Sequence, residues 1–107
     1  MPMTIYYIRA KVLFYPYDRG GRVCLPVGDG YAPYVRIEGA SHDLAVRLNG
    51  LPLEGIYDVQ YDVEMELMYH PQVDYGVMSI GKTFTLVEGI KAIGEGFMVS
   101  AILQKER

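Results

Sequence analysis

The chain has 107 residues, half of them apolar, with 13 acidic against 10 basic side chains and a formal net charge of −3. That length holds one hydrophobic core and not two, which gives a single domain over 1–107, and the composition excludes a disordered chain. The acidic balance excludes a general electrostatic drive toward nucleic acid, and a lone cysteine, Cys24, excludes an internal disulfide.

The first segment places Tyr6, Ile8, Ala10, Val12 and Phe14 on one face of a strand and Tyr7, Arg9, Lys11, Leu13 and Tyr15 on the other. Tyr31 to Glu38 sets Val35 and Ile37 opposite Tyr34, Arg36 and Glu38, and the next segment alternates Leu44, Val46 and Leu48 with Ala45, Arg47 and Asn49. The clearest signal is Val59 to Tyr69, where Val59, Tyr61, Val63, Met65, Leu67 and Tyr69 alternate with Gln60, Asp62, Glu64, Glu66 and Met68. A fifth strand is expected over Thr83 to Glu88 and a sixth over Phe97 to Leu103, with Phe97, Val99 and Ala101 inward. Between them lie glycine-rich turn signals, Gly94-Glu95-Gly96 among them, and no space for an ordinary helix. Gln104 to Arg107 reads as a frayed polar tail. The expectation is an all-β domain, a six-stranded antiparallel closed barrel of Greek-key type, because closure removes edge strands.

The start MPMTIYYIRA lacks the basic beginning and long apolar run of a signal peptide, and no apolar stretch approaches the roughly 20 residues that span a bilayer. A cytoplasmic location without a membrane partner is expected.

Gly20-Gly21-Arg22, Gly30-Tyr31-Ala32-Pro33-Tyr34, His70-Pro71, and Phe84 to Gly89 running into Ile93-Gly94-Glu95-Gly96 follow one another in a characteristic order and rough spacing. In this the chain resembles the third, C-terminal domain of bacterial elongation factor Tu, where the landmarks read GGR, GYRPQF, HP and FxIREGGRTVGAG. The resemblance implies a six-stranded antiparallel barrel, here a divergent stand-alone copy. It also implies a translation-related role, since in that family the barrel packs on a nucleotide domain and touches the T stem of aminoacyl-tRNA. The chain departs from the pattern at Ala32, Tyr34, Val87 and Lys91, and at Arg9 and Lys11, where the family has outward acidic positions.

Gly76 to Thr83 spells the phosphate-loop string GxxxxGK[ST], but no apolar strand precedes it and no helix can follow it, so a loop entering the fifth strand is expected and no nucleotide. His42-Asp43 and His70 with Asp74 could suggest metal ligands, but two histidines and one cysteine, Cys24, far apart in sequence give no expected metal or nucleophile site, and Glu64 and Glu66 read as part of a solvated stripe. No catalytic residue, metal or cofactor is expected. The outward apolar positions point instead to a protein partner or a homo-oligomer contact through Tyr7, Leu13, Tyr15, Met98 and Ile102. The alternative is an RNA contact through Arg22, Tyr31, Tyr34 and Lys91.

Overall fold

The computed structural model describes residues 3–16, 18, 20, 21 and 25–106. The strands are β1 (Thr4–Phe14), β2 (Tyr34–Arg36), β3 (Leu44–Asn49), β4 (Tyr61–Leu67), β5 (Thr83–Glu88), β6 (Lys91–Met98) and β7 (Leu103–Glu106). Every pairing is antiparallel, and the ring β1-β4-β3-β2-β5-β6 closes back on β1. Strands β2, β3 and β4 are consecutive neighbours and β1 lies beside β4 after a long connection, which is a Greek key.

The period-two patterns set the core. Ile8, Ala10, Val12 and Phe14 of β1, Val35 of β2, Leu44, Val46 and Leu48 of β3, and Val63, Met65 and Leu67 of β4 all point inward and are buried, as their alternation requires. In β5 both Leu86 and Val87 are buried, because a register irregularity between them against β6 breaks the alternation.

The C-terminal third corrects three expectations. Gly94-Glu95-Gly96 is not a turn but the middle of β6. Gly96 stands across from Val12 on one side and Phe84 on the other, and Gly94 across from Phe14 and Leu86, so both glycines occupy inward positions between large side chains. A Cβ on Gly96 would lie 2.3 Å from the Lys11 carbonyl oxygen and 2.7 Å from Phe84 Cζ, so absence of a side chain is what lets β1 and the Phe84 ring approach. With Gly96 inward, Met98 is inward too: it pairs with Ala10 and is only 1% exposed. The expected phase of the last strand is therefore inverted. Phe97 lies outward, opposite Lys11, and Val99 is exposed.

The expected sixth strand and frayed tail are a different structure as well. After Met98 the four residues 99–102 face only Ile8 and Arg9, and the chain then resumes pairing with β1 as β7, Tyr7 opposite Leu103 and Thr4 opposite Glu106. The interruption keeps some of the ladder, because Val99 N donates to Arg9 O at 2.8 Å and Arg9 N donates to Ser100 Oγ at 2.9 Å. Ile102 turns back and packs on the barrel core.

One buried tyrosine ties the β4–β5 connection to the barrel. Tyr75 donates its hydroxyl proton to Ala45 O at 2.7 Å and accepts from Tyr69 N at 3.4 Å. Burial raises its pKa above the ordinary 10.0, and burial followed by the nearby Glu95 carboxylate raises that of Tyr15. A phenol whose folded pKa exceeds its unfolded value contributes stability in full below the unfolded pKa and loses it as pH rises toward the folded one. Unfolding free energy should therefore decline above about pH 10. Tyr75→Phe should remove part of that decline while costing about 1–3 kcal/mol at neutral pH for the orphaned Ala45 carbonyl; urea melts at pH 7 and at alkaline pH measure both.

Candidate functional site

The outward side chains of β3, β4, β1 and β7 form a charge lattice. Strand β4 contributes Asp62, Glu64 and Glu66, and its neighbours supply the cations: Lys11 Nζ lies 2.8 Å from Asp62, Arg47 3.4 Å from Glu66, and Lys105 2.6 Å from Glu64. The acidic stripe is thus not solvated alone: cross-strand register sets Lys11 opposite Asp62 and Arg47 opposite Glu66, and Lys105 reaches Glu64 from β7, on the far side of β1. Lys11, one of the two basic β1 positions that depart from the resembled pattern, is held by this lattice. Arg9 stands across from Glu64, whose carboxylate is already engaged by Lys105. An open groove of about 690 Å³ runs along this face, walled by Asp29, Asn49 and Gly50 on one side and Val99 on the other. Its turn wall is cross-bonded, Gly50 N donating to Asp29 Oδ1 at 2.7 Å and Gly30 N to Asn49 Oδ1 at 3.1 Å.

The five residues expected to make one apolar outer patch do not come together. Met98 lies in the core. Leu13 stands opposite Glu95 and Tyr15 is drawn to the same carboxylate, at the C-terminal end of β1. Tyr7 lies about 20 Å away along the strand, from the usual rise per residue, and is covered by Lys105, whose Nζ sits 4.8 Å from its ring centroid. Ile102 is half-buried against the core.

Of the RNA alternative, Arg22 falls outside the described residues, as does Cys24. Tyr31 is half-buried, edge-on to Phe14 and donating to Glu88 Oε2 at 2.6 Å, which leaves it unsuited to stacking a base. Tyr34 and Lys91 are exposed. Arg36, beside Tyr34, is engaged bidentately by Asp43, both bonds 3.0 Å, and this contact raises its pKa.

The segment Gly76 to Thr83 consists of turns leading into β5. Amides that a phosphate loop would aim at its ligand are spent internally: Gly76 N on Asp74 Oδ1, Met78 N on Tyr75 O, Gly81 N on Met98 O and Lys82 N on Ser79 O. His70 is wedged edge-on between Tyr6, at 4.5 Å, and Tyr75, at 6.2 Å, while His42 Nδ1 meets Ser41 Oγ at 2.9 Å. Among the described residues no three metal-ligating groups gather. Among the described residues no helix is long and apolar enough to cross a membrane.

The apolar surface that sequence reasoning missed lies on the connection from β3 to β4. Leu53 is 81% exposed and Ile56 62%, with Val59 and the neighbouring Val27 also exposed. The backbone beneath them is pinned. Gly28 and Leu51 exchange reciprocal bonds of 3.1 and 3.2 Å, and Gly28 lies under Leu53, whose Cδ2 is 3.8 Å from where a Cβ would be. Tyr61 Oη accepts from Ile56 N at 2.7 Å and donates to Ile56 O at 3.3 Å, and Asp58 N donates to Phe14 O at 2.9 Å. Asp58 adopts φ 60°, in the left-handed region, to make this turn. A scan against protein-family models finds no match to the chain, and a search of curated proteins finds none either.

Proposed function

We propose that the chain is a non-enzymatic β-barrel interaction module acting in the cytoplasm, which binds a protein, a second copy of itself included, through Leu53, Ile56, Val59 and Val27. The observation that carries this reading is apolar side chains presented on a loop whose backbone is already fixed. A fixed loop loses little conformational freedom when it docks, so the apolar area it buries contributes more fully to affinity. The resemblance to the third domain of elongation factor Tu fits the same reading. The barrel of that family packs on neighbouring domains, so a barrel resembling it would keep an outer surface suited to a protein contact.

A tRNA-contacting role, the other implication of the resemblance, has less support, because Lys11, Arg36 and Arg47 are each engaged by a carboxylate and Tyr31 by Glu88. The test is the variant Leu53→Asp/Ile56→Asp. Both side chains project from the surface, so its melting temperature should stay within a few degrees of the parent. Its affinity for a protein partner, or its self-association by light scattering, should fall at least about tenfold, as for loss of central apolar contacts. Unchanged association by a folded variant would move the interface elsewhere.

A further inference from the structure

We propose that β7 is a detachable strap: it opens from β1 as a unit while the six-stranded barrel stays closed, leaving Thr4–Tyr7 of β1 without its partner strand. Four observations converge on this. Strand β7 is not a member of the closed ring and pairs with β1 alone. All four of its residues are exposed, so separating it from β1 uncovers little apolar surface of its own. It is divided from β6 by the irregular 99–102 segment, at the end of which Ile102 is anchored on the core, so opening can stop at that residue. Lastly, among the described residues its polar side-chain attachments run through Lys105, which meets Glu64 at 2.6 Å and lies over the Tyr7 ring at 4.8 Å.

The β1 stretch beneath it is unusual in the barrel. Pairing with β4 extends from Val12 only to Tyr7, opposite Glu66, so Thr4 to Tyr6 continue past β4 and rely on β7 for their ladder. Within the stretch Ile5 is buried and Tyr6 packs on the core, so the stretch stays seated, whereas β7, exposed at every residue, is held to it by a single ladder, the weakly held outer strand of a two-stranded ribbon. Local opening with a free energy far below that of global unfolding is the expected behaviour of such a unit.

Native-state hydrogen exchange on the full chain, resolved by residue, tests the proposal. The protected amides of Leu103–Glu106 and of Thr4–Tyr7 that bond to β7 should exchange together, at least about 100-fold faster than those of Ile8–Val12. Lys105→Gln and Glu64→Gln remove the same half-exposed ion pair, and each should accelerate that set about two- to five-fold while leaving the slowest barrel amides unchanged. Exchange of the β7 amides at the rate of the slowest barrel amides would overturn the proposal. So would acceleration spread evenly over the barrel in both variants, since it would mean that β7 opens only when the whole molecule unfolds.

Discussion

Met98→Glu should leave the chain unfolded or nearly so at 25 °C. Met98 sits at an inward position opposite Ala10 and is 1% exposed, so the substitution forces a carboxylate into the apolar core cluster, in which no charged residue is buried among the described residues. Burying an unpaired charge costs several kcal/mol, comparable with the roughly 5–15 kcal/mol of net stability a domain of this size has. The contrast with its neighbour makes the test sharp. Val99→Glu places the same charge one residue on, at an exposed position, and should change stability by no more than about 0.5 kcal/mol. Circular dichroism melts of the pair measure the difference, and a folded Met98→Glu protein would show that the phase of β6 is wrong.

Gly96→Ala is the second large effect expected. A methyl group at this position meets the Lys11 carbonyl at 2.3 Å and the Phe84 ring at 2.7 Å, and the first of these is main chain in the centre of the β1–β6 ladder. The ring can turn aside; the strand cannot without disturbing its pairing with β4. A cost of about 1–3 kcal/mol is expected, the range for overpacking a filled core. Phe84→Leu in the same chain relieves the ring contact and not the carbonyl one, so it should recover only part of the loss. Denaturant melts of the single and double variants give the coupling between the two positions.

These two positions also mark where the sequence was hard to read. Strands β3 and β4 and the core half of β1 were legible because one face of each is uniformly apolar, so period-two alternation sets the phase without ambiguity. In β6 two of the inward positions before Met98 are Gly94 and Gly96, which carry no apolar signal and resemble a turn. With those removed, the phase was set by Phe97, a large residue that in fact faces outward across from Lys11. Strand β7 was illegible for a related reason. It is wholly exposed and polar at three of four positions, so only its partner β1 identifies it as a strand.

The surface divides in the same way. The acidic stripe of Asp62, Glu64 and Glu66 was visible, but that cations from β1, β3 and β7 would lie against it depends on cross-strand register, which composition does not encode. The exposed Leu53 and Ile56 belong to an aperiodic segment, where sequence cannot separate a loop folded over the core from one projecting away from it. Tyr57, between them and Asp58, packs on the core, whereas its neighbour Ile56 projects outward.

Site-specific photo-crosslinking in cells tests whether the pinned apolar loop binds a protein. A photoreactive residue at position 53, on the pinned apolar loop, is compared with one at position 62, in the charge lattice, and one at position 34, where Tyr34 is exposed on β2. A discrete protein adduct is expected from position 53, lost when Ile56→Asp is added, and none from position 62. RNA adducts from position 34, with no protein adduct from position 53, would contradict it and assign the barrel to nucleic-acid contact instead.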